Sequence, residues 1–548
     1  MFDLAKTGNY TELASMLVAD PQSLVNAVDQ DGHTLLHWAA LADAHVFLKD
    51  LLIAAEFLDE RKKLDWVNKQ SDKTKQTAAM WAVIKGNVKS LGLLHAAGAS
   101  LIVVDSLKAS LPILAIQHHQ LEVLVLLAKW GGLGEKDHNG CGLPHWAAYK
   151  GDVDSLRLLH LWVGQDMRGA DSQGMTPLHR AASVGAEAAV KFLVTNCYVD
   201  PAARNHENET AADLSRRIGN KKVANYLDKY TDKFQPIGKF VEDGGRSEVQ
   251  VQMIVDEKVS TEKLFQWFLP GIYLLVMSIM LVVQLIELKS VSMVFLICVP
   301  ISLSLYGYLV QGDSGKRSKR QVGQTAIEEL QYQLDRIASG SMHDSEEKND
   351  INQICLTCMD WKGPRSKHCA ICDACVDNFD HHCGWLNNCV AKRNHRLFVL
   401  MLYATSLGQI AHFYLTYMSI EGEGWLYPVI GSFSTRPLLF VCMCLHIFLT
   451  PFIGLLAIFH TRVIALNMNT NEAHNMHKYS HFWRKIEGVP EADPRAMTME
   501  FVNPFDQGIV ANCYNFWTGK DGDTALATSK VKYLELKPVG KCCDSRSH

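Results

Sequence analysis

At 548 residues the chain is too long for one hydrophobic core, which predicts about two to four domains. A formal net charge of −4 excludes the strongly basic surface of a nucleic-acid binder, so no nucleic-acid partner is expected. The opening "MFDLAKTGNY" has no basic stretch followed by an apolar run, so the N-terminus is expected in the cytosol.

The first element is a repeat array. "TLLHWAA" starts at Thr34, "TAAMWAV" at Thr77, "SLPILAI" at Ser110, "GLPHWAA" at Gly142, "TPLHRAA" at Thr176 and "TAADLSR" at Thr210. From Thr77 on the period is close to ~33 residues, the ankyrin length. The longer first interval predicts a loop insertion around 59–72. A partial unit, "DLAKTGNYTELASMLV", comes before it. Residues 1–230 thus resemble an ankyrin solenoid of six to seven repeats, with the Ser110 unit furthest from the family pattern. Such arrays bind proteins and carry no chemistry. Trp38, Trp81 and Trp146 share one repeat position; they read as packing between repeats or as an aromatic shelf for a peptide.

A polar linker, 231–263, leads to four apolar runs: Leu264 to Ile286, Val291 to Val310, Leu397 to Met418 and Leu438 to Phe459. Each is near the ~20 residues that cross a bilayer core. Spans one and two thus occupy 264–310, and spans three and four 397–460. "KRSKR" follows the second run and "KRNHR" precedes the third, so 311–396 is expected to be cytosolic. Both termini then share that side, the C-terminal region being 461–548. Residues 323–338 read as an amphipathic helix and 339–350 as a flexible stretch. His412 and His446, within the runs, are given no role. Cys542 and Cys543 read as ordinary thiols.

Between spans two and three lies "CLTCMDWKGPRSKHCAICDACVDNFDHHCGWLNNC". In a reducing compartment such crowding means metal or catalysis rather than disulfides. Seven thiols and three imidazoles make ten candidate ligands. Two closed tetrahedral zinc sites need eight, which leaves room for one spare cysteine and one spare histidine, or for surplus ligands. A spare thiol beside an imidazole and a carboxylate suits nucleophilic catalysis. Asp380, His381 and Cys383 supply those three types within four residues. On spacing alone, the bland reading also stands: Asp380 caps a turn and Cys383 is inert.

With "PRSKHC", "DHHC", Trp385, "NNC", Asn394 and Phe398, the segment resembles the cysteine-rich domain of the DHHC family of protein S-acyltransferases (palmitoyltransferases). The ankyrin array is similar to that of the huntingtin-interacting subgroup. The resemblance implies a mainly α fold: an N-terminal ankyrin solenoid, a four-helix transmembrane bundle, and a small zinc-stabilised cysteine-rich domain between spans two and three. It implies one zinc on Cys355, Cys358, His368 and Cys375, and a second on Cys369, Cys372, His382 and Cys389. Cys383 is then the acylated nucleophile, His381 its base and Asp380 the orienter. Palmitoyl-CoA would be the acyl donor and cysteines of proteins recruited by the array the acceptors. Lys362 and Arg365 would contact the coenzyme A phosphates, membrane lipid would surround the spans, and the Golgi is the expected location.

Several family signatures are altered. "NTNE" keeps Thr470 and Glu472 of T-T-x-E, and "DSG" at Asp313 replaces D-P-G. Gly384 replaces a proline and Ala391 a glycine. "NPFDQGIVAN" matches a C-terminal element at Asn503, Phe505, Gly508 and Asn512, expected to pack against the catalytic face. The alternative reading is a non-catalytic membrane scaffold.

Overall fold

The computed structural model describes residues 1–134, 136–231, 268–286, 292–317, 326–342, 351–363, 365–418, 436–479, 482–485 and 499–520. The expected linker from residue 232 on, the stretch 343–350, and Cys542 and Cys543 lie outside the described residues. The chain divides into two compact units, Met1–Glu257 with Arg320–Trp361, and Lys258–Lys319 with Lys362–His548.

In the first unit every repeat start opens a helix. Leu35–Leu41, Ala78–Lys85, Leu111–Gln117, Leu143–Lys150, Pro177–Ser183 and Ala211–Arg217 follow N-caps at Thr34, Thr77, Ser110, Gly142, Thr176 and Thr210. The Ser110 unit is therefore a full repeat despite its sequence. The recurrent histidine explains the motif. His37 Nδ1 accepts from the Thr34 amide at 3.1 Å, and its Nε2 donates to the Gln76 carbonyl of the next repeat at 3.1 Å. His145 and His179 reach the Met175 and Glu209 carbonyls in the same way. One side chain thus caps its own helix and ties adjacent repeats. Trp38 and Trp81 meet edge-on at 5.3 Å, both half-buried, which is the packing role. The expected loop insertion is instead largely a helix, Glu60–Val67, capped by Asp59 and held by the bond from Trp66 Nε1 to the Val25 carbonyl. A short helix with a capped start and one apolar face gives little periodic signal.

The amphipathic helix is Ala326–Ala338, and it belongs to this unit. Ile327, Leu330, Leu334 and Ala338 are buried against helices Val88–Ala96 and Leu121–Lys129. The approach is close enough that a Cβ on Gly92 would collide with the Ala338 backbone carbonyl. Asp335 accepts from Lys129 Nζ at 2.8 Å and Trp130 Nε1 at 3.1 Å, and Gln331 donates to the Val125 carbonyl. The hairpin Ile354–Cys355 with Asp360–Trp361 follows, joined to the helix by the Ala326 amide on the Met359 carbonyl. The cysteine-rich segment expected over 311–396 thus contributes to both units.

In the second unit, three helices are long and apolar enough to cross a membrane: Met293–Gln311, His395–Met418 and Pro437–Ala465. A fourth apolar helix, Phe268–Ile286, qualifies only as a shorter one, over Phe268–Val283, among the described residues. His412 Nδ1 and His446 Nε2 lie 2.7 Å apart, and His412 Nε2 donates to the Met280 carbonyl, so three of these helices share one buried polar knot. Two further hairpins, Lys367–Cys369 with Ala374–Val376 and His381–Cys383 with Asn388–Val390, sit before the third apolar run.

Candidate active site and metal centre

Cys369, Cys372, His382 and Cys389 converge. Cys369 ends one strand, Cys372 lies in the following turn, and His382 faces Cys389 across the next hairpin. The His382 Nδ1 atom is 3.6, 3.5 and 3.7 Å from the sulfurs of Cys369, Cys372 and Cys389, and Cys372 Sγ is 3.5 Å from Cys389 Sγ. Zinc bonds of about 2.3 Å to sulfur and about 2.0 Å to nitrogen would give tetrahedral edges of roughly 3.5–3.8 Å. The donor set therefore fits that ion without rearrangement. The other expected set is split between the units. Cys355 and Cys358 are buried around the hairpin of the first unit. In the second, His368 stands opposite Cys375 in register.

Cys383 ends its strand, opposite Asn388, and belongs to none of the ligand clusters found among the described residues. The hairpin around it is fixed to the helix Met293–Gln311. Tyr306 Oη donates to the Trp385 carbonyl at 2.9 Å, and Asn388 Nδ2 donates to the carbonyls of Leu309 and Gly312. Asp313 accepts from the Gly315 and Lys316 amides and pairs with Arg393, which pins the chain beyond that helix.

Asp380 is fully buried. Its Oδ2 accepts from His381 Nδ1 at 2.7 Å and its Oδ1 from the Thr470 amide at 2.7 Å. Burial alone would push this carboxyl up, but the neighbouring His395 and His381 imidazoles and the His381 bond hold it well below the usual range. Burial would likewise lower His381; its bonds to Asp380 and to the Cys383 thiol outweigh that and raise it to about 9. Asp380 thus fixes the tautomer and orientation of His381, which lies on the same strand as Cys383, two residues before it.

Cys383 opens onto an apolar cavity of ≈ 310 Å³. Tyr273, Met277, Phe398, Leu402 and Phe452 line it, and Gln409 lies at the far reach. From Phe398 to Gln409 the helix rises about 16 Å. The few polar side chains are mutually satisfied: Ser302 Oγ lies 2.8 Å from Tyr273 Oη and 2.5 Å from Thr405 Oγ1. Such a slot takes a long apolar chain, with its reactive end at the sulfur.

Arg365 has a different employment from the one expected. Its guanidinium is about 5% exposed, clasps Glu472 at 2.8 and 2.6 Å, donates to Asn467 and lies over the Phe505 ring. It braces the Asn469–Glu472 turn that supplies the Thr470 amide to Asp380. The C-terminal element caps the last long helix: Asn512 Nδ2 donates to the Ala465 carbonyl and Asn503 Nδ2 to that of Leu466. Gly508, at φ 90°, makes the bend that only glycine adopts freely. Gly384 is not among the left-handed residues, and a Cβ there would meet only a Leu269 methyl at 3.3 Å. Its backbone does not require glycine.

Two residues escaped the sequence reading. His460, from the last long helix, and His395 lie against Asp380 and His381. Nothing in local spacing marks them: His460 arrives from an element remote in the chain, and His395 opens the next long helix, outside the hairpin motif.

Residues 348–477 match the family model of the DHHC palmitoyltransferase, and 112–205 and 144–235 match that of ankyrin repeats. Palmitoyltransferase ERF2 of Eremothecium gossypii is 40% identical over 122 residues, 22% of this chain and 31% of that protein. Palmitoyltransferase ZDHHC8 of Homo sapiens is 40% identical over 121 residues, covering 22% and 15%. ZDHHC9 of Pongo abelii is 38% identical over 196 residues, covering 35% and 49%. The chain thus spans about half or less of the curated relatives it matches. It carries a DHHC palmitoyltransferase domain and ankyrin repeats.

Proposed function

We propose that this chain is an integral-membrane protein S-acyltransferase that moves a palmitoyl group from acyl-CoA, through an acyl-enzyme on Cys383, to cysteines of proteins recruited by the ankyrin array. The observation that carries the reading is the run from Asp380 through His381 to a Cys383 thiol at the mouth of an apolar cavity.

His381, whose proton affinity is raised, holds the proton given up by Cys383, and the resulting thiolate attacks the thioester carbonyl. The carbon–sulfur bond to coenzyme A breaks, and the departing thiolate takes up the proton. The acceptor thiol then repeats the exchange in reverse, with His381 as base once more. One thioester replaces another, so the step is nearly neutral in energy and positioning dominates. At roughly 0.8 kcal/mol per methylene, a long chain gains on the order of 10 kcal/mol by staying in hydrocarbon, which is why the sulfur faces an apolar slot.

Two structural zincs hold the hairpins in this reading, on Cys355, Cys358, His368 and Cys375 and on Cys369, Cys372, His382 and Cys389. Four spans, both termini in the cytosol and residence in the Golgi complete it. Lys362 is the candidate contact for the coenzyme A phosphates, since Arg365 is committed to Glu472.

The test is acyl-enzyme formation with alkynyl-palmitoyl-CoA on the purified full chain. A hydroxylamine-labile label is expected, and Cys383→Ser should abolish it with zinc content unchanged. A well-folded, zinc-loaded wild type that takes no label would make the protein a scaffold. Zinc loss in Cys383→Ser would make that residue a ligand.

A further inference from the structure

The three cysteine-rich hairpins are one motif used three times. Cys355, Cys369 and Cys383 stand fourteen residues apart. Each ends a strand and pairs with the residue five further on: Cys355 with Asp360, Cys369 with Ala374, Cys383 with Asn388. The fifth position of each hairpin lies in the left-handed region, Met359 at φ 52°, Asp373 at 47° and Asn387 at 47°. Three non-glycine residues in that rare conformation at an identical interval identify a repeated backbone, independent of side-chain type.

The fourth position separates the copies. It is Cys358 in the first and Cys372 in the second, which completes the C-x-x-C grip on a metal. In the third it is Leu386. That side chain is fully buried beside Cys383, Val390 and Phe398. The tip of the third hairpin is held by this apolar contact and by the bonds of Tyr306 and Asn388, where the tip of the second is held by Cys369 and Cys372 in the ligand cluster to which the third lends His382 and Cys389.

We propose that Leu386 is the positioning residue that keeps Cys383 a nucleophile. Cys383 occupies a metal-ligand position of the repeat, and leucine in place of the partner thiol denies a metal its second sulfur. His381, two residues before Cys383 on the same face of the strand, is the ready third ligand, so restoring that thiol would capture a divalent zinc ion and quench the sulfur. This rests on the reading of Cys383 as nucleophile and of its neighbours as zinc ligands.

The test uses the full chain in reducing buffer with micromolar zinc. Leu386→Cys is expected to bind one zinc more per chain than wild type and to form acyl-enzyme at least about ten-fold more slowly, with recovery when free zinc is buffered low. Leu386→Ser, equally disruptive to packing but without a thiol, should keep the wild-type zinc count and show no zinc dependence of its rate. The double variant Leu386→Cys with Cys383→Ser should lose the extra zinc. An unchanged zinc count in Leu386→Cys, or an equal zinc-independent loss of rate in both single variants, would overturn the proposal. Failure of the underlying reading shows separately, as a wild type that holds no zinc or takes no acyl label.

Discussion

Two kinds of repeat stand side by side in this chain, and they are stabilised by opposite means. An ankyrin unit of ~33 residues is long enough to form two helices, so each copy buries leucines and alanines against the next. A cysteine hairpin of fourteen residues has almost no apolar interior, and the second and third copies together gather three sulfurs and an imidazole instead. The length of the repeat decides which source of stability is open to it. The third hairpin teaches most, since it lends His382 and Cys389 to that cluster while its tip packs Leu386 among apolar side chains and leaves Cys383 outside it.

If that contrast is right, deleting one ligand should do more damage than deleting one core leucine. Cys389→Ser is expected to release zinc and unfold the hairpins, because structural zinc contributes roughly 10–16 kcal/mol in small domains; zinc content and acyl-enzyme formation should fall together while the array's melting transition stays. Arg365→Leu strands the buried Glu472 carboxylate, at a cost of about 3–5 kcal/mol, and should lower the melting temperature of the second unit without releasing zinc. Leu91→Ala in the array should cost about 2–5 kcal/mol, read by thermal unfolding, and leave zinc untouched. A smaller effect concerns pH. His381 is raised from 6.5 to about 9 on folding, so its stabilising link to Asp380 is complete below pH 6.5 and fades as pH rises through about 9. The melting temperature should fall over that window, and Asp380→Asn should flatten the slope. Smallest of all, Gly384→Pro should change acyl-enzyme formation by less than about three-fold, since the backbone there does not need glycine.

The repeat starts, the convergence of Cys369, Cys372, His382 and Cys389 and the Asp380–His381 bond were legible because each depends on near neighbours. Thr34 and His37 cap one helix, and Cys369 and Cys372 lie three apart. Arg365 was misread because a cation near an expected phosphate site says nothing about a glutamate 107 residues away. His460 was invisible for the same reason, as was the docking of Ala326–Ala338, whose apolar stripe is plain while its partner helices are not. The fourteen-residue period was available in the text. It was hidden by Leu386, the one substitution that breaks the C-x-x-C pattern.

The array is completed by a stretch of chain that is made late. Residues 1–231 can emerge from the ribosome and stack, yet helix Ala326–Ala338, which covers the wall around Gly92, comes some 95 residues afterwards, beyond two apolar runs. At about 5–20 residues per second that is a delay of roughly 5–20 s, during which leucines on that wall stand bare. Biosynthesis thus has a built-in order, with synthesis of the first two apolar runs preceding final closure of the N-terminal unit, and the waiting surface is where a chaperone would be needed.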